Sequence, residues 1–156
     1  MTNDPPATEL RIRPATAEDV DAVAALYEEL HDAEWHGDPP FRIARPAWRA
    51  EVSSVLESPG IHLLVAEAGG VVGTVRVELG ERPQGAVGEI RRLVVSRAWR
   101  GRGVGGALMA AAEEVARARG AGDMRLTVLV GNDEARGFYA RRGYEEFAVR
   151  YRRRLG

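Results

Sequence analysis

The sequence predicts a single domain of the α/β (α+β) class, with a mixed central sheet of six to seven strands flanked by about four helices. Its 156 residues suit one domain. Strand-like and helix-like segments follow one another in the order β, α, α, β, β, β, α, β, α, β. We expect residues 1–8 to form a disordered tail and residues 9–154 to form the folded domain.

The N-terminal segments predict one strand and two helices. Leu10–Arg13 alternates apolar and polar residues, as a half-buried strand does, before Pro14. Apolar residues recur at helical spacing from Thr16, an N-cap residue type, to about Leu30. A second helix from about Ala47 to Glu57 stops at Ser58-Pro-Gly60.

The middle of the chain predicts a hairpin and a further strand. Ile61–Glu67 and Val71–Leu79 are β-rich segments on either side of Ala68-Gly-Gly70, a strong turn signal. Glu89–Val95 is β-branched and partly alternating, which predicts the strand that leads into a glycine-rich segment.

The remaining segments predict two helices and the closing strands. Apolar spacing predicts a helix from about Gly103 to Arg119, which Gly120 ends. Met124–Val130 has the composition of a buried strand, and a short helix from about Asp133 to Arg142 follows it. Tyr144–Arg152 would then supply one or two strands.

Composition excludes several classes of chemistry. The 22 basic and 23 acidic residues nearly cancel, which argues against a nucleic-acid-binding protein. There is no cysteine, and every basic residue is arginine, so thiolate nucleophiles, cysteine-ligated zinc and Schiff-base or P-loop lysines are excluded. No apolar run approaches a membrane span and the N-terminus lacks signal-peptide features, so we expect a cytoplasmic protein with no membrane partner.

The segment Leu93–Gly106 carries the strongest functional signal. An apolar strand leads into Arg100 and then into a glycine-rich turn and a helix start. Backbone N–H groups at such a turn and the positive end of the helix dipole attract phosphate. Gly101, Gly103 and Gly106 also fit a dinucleotide-binding fingerprint, but the spacer after the strand and the short remainder of the chain argue against that reading.

Two motifs together resemble the GNAT superfamily of N-acetyltransferases. Arg100-x-x-Gly103-x-Gly105, preceded by Leu93-x-Val95, resembles its acyl-CoA-binding signature. Asn132-x-x-Ala135-x-x-x-Tyr139-x-x-x-Gly143-Tyr144 resembles a second motif of the family. The resemblance extends to the order of elements and so implies a GNAT-type sheet over residues 9–154.

The resemblance implies acetyl-CoA as co-substrate, without a metal. The glycine-rich turn would receive the pyrophosphate, with charge added by Arg100 or Arg102. The strand Leu93–Val95 would pair with the pantetheine arm, and an N–H near Val94 or Val95 would polarise the thioester carbonyl. The predicted cofactor-binding residues are Leu93, Val94, Val95, Arg100, Gly101, Arg102, Gly103, Val104, Gly105, Gly106 and Asn132.

Two residues are predicted to be catalytic. Glu89 is the candidate base, because strand alternation places it on the face of Leu93 and Val95 unless a bulge intervenes. The alternative is a strand carboxylate paired with Arg91 or Arg76. The resemblance implies that Tyr139 protonates the departing thiolate, and an ordinary core tyrosine is the alternative.

The segment after the first helix is the predicted acceptor site. His31, Trp35 and His36 lie there among acidic residues, a combination that suits a cationic amine. We expect transfer of an acetyl group to a primary amine, on a small molecule or peptide, by direct attack in a ternary complex, since no cysteine can carry the acyl group. A non-catalytic acyl-CoA-binding module, and more remotely a dinucleotide-dependent oxidoreductase, are the alternatives. An edge strand near the C-terminus could pair with a second copy, forming a homodimer.

Overall fold

The computed structural model describes residues 8–34 and 42–156 of the chain. Within it the segments Met1–Leu126 and Thr127–Gly156 form two compact units, which are described separately. Apart from residue 8, the predicted N-terminal tail lies outside the described residues.

The first unit is built on a five-stranded sheet in the order β1-β2-β3-β4-β5. The first four strands run antiparallel to their neighbours, whereas β5 runs parallel to β4, so the sheet is mixed as predicted. The strands are β1 (Arg11–Pro14), β2 (Ile61–Glu67), β3 (Val71–Arg82), β4 (Gly85–Val95) and β5 (Ala121–Leu126).

The described residues form four α-helices, in agreement with the sequence prediction. They are α1 (Val20–Glu34), α2 (Arg45–Leu56) and α3 (Val104–Ala118) in the first unit, and α4 (Asp133–Arg141) in the second. A turn of 3-10 helix, Ala17–Asp19, precedes α1.

Helices pack on both faces of the sheet. On one face α1 and α2 form a core with the sheet, in which Tyr27 and Trp48 pack with Val65 and Val94. The opposite face is so close to α3 that a Cβ at Gly73 would lie 3.1 Å from Leu108 Cδ1. The side chains of β3 and β4 therefore divide between a face towards α1 and α2 and a face towards α3.

A buried carboxylate joins the start of the first helical segment to β1. Asp19 is 5% exposed and accepts two hydrogen bonds from the guanidinium of Arg13, at 2.8 and 2.9 Å. Hydrogen bonds from Arg13 lower the pKa of Asp19, against the opposing effect of burial, and the backbone N–H of Thr16 lowers it further. Thr16 is the N-cap that the sequence predicts.

The predicted closing strands are not found. Among the described residues the structure has five strands rather than six or seven, and the last ends at Leu126 instead of Val130. Val149 and Tyr151, on one side of the alternating C-terminal segment, are 75% and 94% exposed. Alternating residues indicate which face a strand would bury. They do not show whether a neighbouring strand is available to hydrogen-bond its backbone groups. The predicted dimerising edge strand is absent from the described residues for the same reason.

Candidate active site

The glycine-rich turn of the first unit leads into a helix, as the sequence predicts. Gly101 and Gly103 have φ of +74° and +80°, a left-handed conformation that glycine adopts with little strain. Gly103 is the N-cap residue of α3, and as a glycine it has no side chain to cap this helix end. The first N–H groups of a helix have no intrahelical partner, so this end can receive an anion.

Arginines on the turn are held by neighbouring groups. The Arg100 side chain donates from Nε to the Val95 carbonyl at 3.3 Å, and its Nη2 lies 3.5 Å from a Glu29 carboxylate oxygen. The same carboxylate accepts from the backbone N–H of Arg97 at 3.1 Å. Arg102 stacks on Trp99, with its Cζ 4.9 Å from the ring centroid. Glu29 therefore ties the turn to α1.

The last residues of β4 extend beyond the pairing with β5. The register of these two strands ends at Ile90 opposite Leu126, whereas β4 continues to Val95. Within the first unit as described, the β5-side edge of Leu93–Val95 is therefore open to an extended ligand. This edge adjoins the glycine-rich turn, so the two predicted parts of the cofactor site lie in sequence along one surface.

A β-bulge changes the predicted orientation of Glu89. Arg92 and Ile90 are opposite the consecutive β3 residues Arg76 and Val77, so Arg91 is the extra residue of the bulge. Glu89 therefore shares a face with Arg92 and Val94, towards α1 and α2, and not with Leu93 and Val95. Simple alternation from Leu93 places Glu89 on the wrong face of the sheet, because the extra residue moves every residue before it in β4 to the opposite face.

Glu89 lies in a network of charged residues on that face. It is directly opposite Glu78 on β3, and its carboxylate lies 3.2 Å from Arg91 Nη1. Arg76 donates to Glu78 at 2.5 Å and Arg91 donates to it at 3.0 Å. Burial raises the pKa of Glu78, but these hydrogen bonds outweigh burial and hold the pKa below its usual range. Glu89 is thus paired with Arg91, as in the alternative interpretation of Glu89 as a strand carboxylate with an arginine partner.

Sequence reasoning missed a second group of residues on the same face. The Arg92 guanidinium lies 4.9 Å from the ring centroid of Tyr27 and 5.2 Å from that of Trp48. Its Nη2 donates to Glu51 of α2 at 3.1 Å, and the same Glu51 oxygen lies 3.4 Å from Arg76 Nη1. A signal was present in the sequence, because two consecutive arginines interrupt the otherwise apolar strand around Ile90 and Leu93.

Three buried polar atoms of this group have no hydrogen-bond partner among the described residues. They are Tyr27 Oη, Trp48 Nε1 and Arg92 Nε. Burial raises the pKa of Tyr27 to about 12, although the nearby charges of Arg76 and Arg92 oppose that rise. All three atoms can donate a hydrogen bond, so the group lacks an acceptor.

The predicted acceptor residues are only partly described. His31 is 9% exposed, and its ring centroid is 5.7 Å from that of Trp48, so it borders the group just described. Trp35 and His36 lie outside the described residues. A separate half-open cavity of about 350 Å³ lies between α2, β2 and α3, and the predicted site residues do not line it.

The second unit contains the two remaining candidates. Asn132 is the N-cap of α4, and its side-chain oxygen accepts from the Ala135 N–H at 3.2 Å. Tyr139 packs edge-on against Phe138 and Tyr144, with ring centroids 5.1 and 5.8 Å away. Burial raises the pKa of Tyr139, so its hydroxyl keeps its proton at neutral pH.

Comparisons with known proteins agree on one family. The model of the acetyltransferase (GNAT) family matches residues 20–144. The chain is also 35% identical over 147 residues to an aminoalkylphosphonate N-acetyltransferase of Salmonella typhimurium, covering 92% of this chain and 90% of that protein. The chain belongs to the GNAT acetyltransferase family. It is therefore an acyltransferase, and the GNAT family membership predicted from its two motifs is confirmed.

Solved structures have the same GNAT fold. A transcriptional regulator from Bacillus halodurans superposes with a TM-score of 0.80 at 23% identity, covering 94% of this chain and all of that chain. Glucosamine-6-phosphate N-acetyltransferase from Arabidopsis thaliana superposes with a TM-score of 0.73 at 16% identity, covering 95% and 99%. Among residues 8–34 and 42–156, no helix is both long and apolar enough to cross a membrane.

Proposed function

We propose that this chain transfers the acetyl group of acetyl-CoA to the primary amine of a small acceptor, by direct attack in a ternary complex. The observation that carries this proposal is the junction of β4 and α3. An open backbone edge at Leu93–Val95 continues into a glycine turn at an uncapped helix N-terminus. This arrangement suits a long ligand with an extended arm at one end and a pyrophosphate at the other.

The backbone supplies most of the proposed cofactor site. N–H groups from Arg100 to Gly106 receive the pyrophosphate, and Arg102 adds positive charge while stacked on Trp99. Arg100 is partly engaged by Glu29, so its main contribution is to hold the shape of the turn. A backbone N–H near Val94 or Val95 donates to the thioester oxygen as negative charge develops there.

The proposed base is Glu89. An alkyl ammonium has a pKa of about 10.4, so the amine must lose a proton before it attacks. Glu89 shares one salt bridge with Arg91, whereas Glu78 accepts from both Arg76 and Arg91 and is the weaker proton acceptor because its pKa is held low. Tyr139 is the proposed donor to the departing thiolate, since a tyrosine hydroxyl carries its proton at neutral pH and can donate it as the thiolate forms.

The proposed acceptor class is the aminoalkylphosphonates. Support comes from the relative of that name, which is 35% identical across most of both chains. The arginines of the face shared with Glu89 suit an acceptor that carries an acidic group.

A screen for release of free coenzyme A thiol tests the proposal. The full-length chain is incubated with acetyl-CoA and a panel of primary amines: aminoalkylphosphonates, amino acids, aminoglycosides and lysine peptides. Because the chain has neither cysteine nor lysine, it contributes no thiol background and cannot acetylate its own lysine side chains. We expect turnover with aminoalkylphosphonates, and intersecting lines in double-reciprocal plots. Parallel lines would contradict direct transfer, and turnover confined to other amines would contradict the acceptor class.

A further inference from the structure

The face shared by Glu89 and Arg92 has two rows of like charge. Arg76 and Arg92 are direct partners across β3 and β4, and Glu78 and Glu89 are direct partners further along the same two strands. Like charges directly opposite each other destabilise a sheet unless something compensates them. The two rows are separated by about 6–7 Å along β3, the distance between every second residue of a strand.

This pattern matches a small zwitterion. An anionic group on the arginine row would place an ammonium group a few ångströms away, over the glutamate row and beside the proposed base. Within the described residues Arg76 pairs with Glu78 as well as with Glu51, whereas Arg92 pairs with Glu51, a carboxylate that it shares with Arg76. Arg92 is therefore the less neutralised arginine of the row.

The unpartnered donors point to the same end of the face. Tyr27 is completely buried and Trp48 is 4% exposed, yet Tyr27 Oη, Trp48 Nε1 and Arg92 Nε lack partners among the described residues. A buried donor without an acceptor costs free energy that folding must supply elsewhere. Arg92 stacks on both rings, so the three unpartnered donors belong to one cluster of contacting side chains around its guanidinium.

We propose that Arg92, Trp48 and Tyr27 form the subsite that binds the anionic group of a zwitterionic acceptor, with its amine over Glu78 and Glu89. The inference rests on the proposed function for the fate of the amine, but the binding of the anion does not depend on turnover. Phosphonate and carboxylate share the required chemistry, since both present oxygen acceptors to guanidinium, indole and phenol donors.

The test compares acceptors that differ only in the anionic group. For the full-length chain and its variants, kcat/KM is measured with 2-aminoethylphosphonate, β-alanine and propylamine. Trp48→Phe and Tyr27→Phe each remove one donor and retain an aromatic ring. We expect each to lower the ratio of kcat/KM for the better anionic acceptor to kcat/KM for propylamine by about tenfold, the usual effect of losing a hydrogen bond to a charged group. The preferred anion distinguishes a phosphonate from a carboxylate substrate.

Thermal unfolding separates this role from a packing role. Because Tyr27→Phe removes only an unsatisfied buried hydroxyl, we expect its Tm to equal or exceed that of the wild type. Trp48→Phe also leaves a cavity in the core, so we expect a lower Tm for that variant. Arg82→Gln is the matched control for Arg92→Gln, since Arg82 is exposed at the end of β3. Arg92→Gln should lower the ratio, and Arg82→Gln should not. An unchanged ratio in all three subsite variants, as expected if water alone satisfies the donors, would overturn the proposal.

Calorimetric measurement of 2-aminoethylphosphonate binding tests the anion subsite even if the chain acetylates none of these amines. Binding by the wild type that weakens about tenfold in Tyr27→Phe, which removes only the hydroxyl, would support the subsite while the proposed function fails. Equal binding by both proteins, or binding by neither, would reject it.

Discussion

Glu78 and Glu89 are directly opposite each other on β3 and β4, and the guanidinium of Arg91 lies within 3.2 Å of both carboxylates. Two adjacent carboxylates would repel each other if Arg91 did not lie between them. The bulge at Arg91 makes this arrangement possible, because the extra residue turns Glu89 towards the face that carries Glu78. Glu78 is also paired with Arg76, whereas Arg91 is the arginine partner of Glu89 among the described residues. We therefore expect Glu89 and not Glu78 to act as the base.

Glu89→Gln should lower kcat by about 10²-fold and remove the acidic limb of the pH profile of kcat/KM, because the amide cannot accept the proton of the amine. The measurement is steady-state kinetics with the best acceptor from the thiol-release screen. Glu81→Gln, an exposed position on β3, is the control and should behave as the wild type. An acidic limb retained in Glu89→Gln but lost in Glu78→Gln would transfer the role of base to Glu78.

Tyr139→Phe should lower kcat by about 10²-fold with little change in Tm, because it removes only the hydroxyl that is proposed to protonate the thiolate. The control is Tyr151→Phe, since Tyr151 is 94% exposed and the same atom is removed there. Full turnover by a folded Tyr139→Phe variant would leave Tyr139 with a packing role alongside Phe138 and Tyr144.

Gly103→Ala should raise the KM for acetyl-CoA several-fold and lower the free energy of unfolding by roughly 1–2 kcal/mol. No atom lies within 4 Å of the added Cβ, so the cost comes from φ of +80° and not from a clash. Gly70→Ala is the matched control, because its Cβ is equally unobstructed and its φ lies outside the left-handed region. Loss of stability with an unchanged KM for acetyl-CoA would show that the turn does not bind the cofactor.

Asp19→Asn should destabilise the protein by about 2 kcal/mol at pH 7, since it weakens charge-assisted hydrogen bonds of a buried carboxylate. The pKa of Asp19 is lowered in the folded state, so its contribution is complete above the unfolded-state pKa and is lost as the pH falls through the folded-state pKa. Denaturant unfolding should show the two proteins converging below about pH 4. The control Asp21→Asn breaks an exposed pair with Arg49 and should cost less than ~1 kcal/mol. A constant difference between Asp19→Asn and the wild type down to pH 2 would contradict this account.

Elements with local signals were predicted well. The hairpin strand Ile61–Glu67 has the predicted bounds, and α3 begins one residue after the predicted start. The one or two strands predicted within Tyr144–Arg152 are not found in the described residues, because strand formation also depends on a neighbouring strand to pair with. Glu89 lies on the other face from the one that simple alternation predicts, because the bulge that the sequence prediction allowed for is present in β4. A single extra residue has no clear signature in the sequence of the strand.

The sequence by itself determined the family, the glycine turn at a helix start, and the absence of thiol and lysine chemistry. These properties depend on residue identity and spacing along the chain. Only the tertiary structure decided that Glu89 faces Glu78, and that Arg92 of β4 stacks on Tyr27 of α1 and Trp48 of α2. Residues 92 and 27 come together because α1 packs on the face of the sheet that carries Arg92 and Val94, and the bulge turns Glu89 to that same face. The unpartnered donors that this packing creates cannot be seen in the order of the residues.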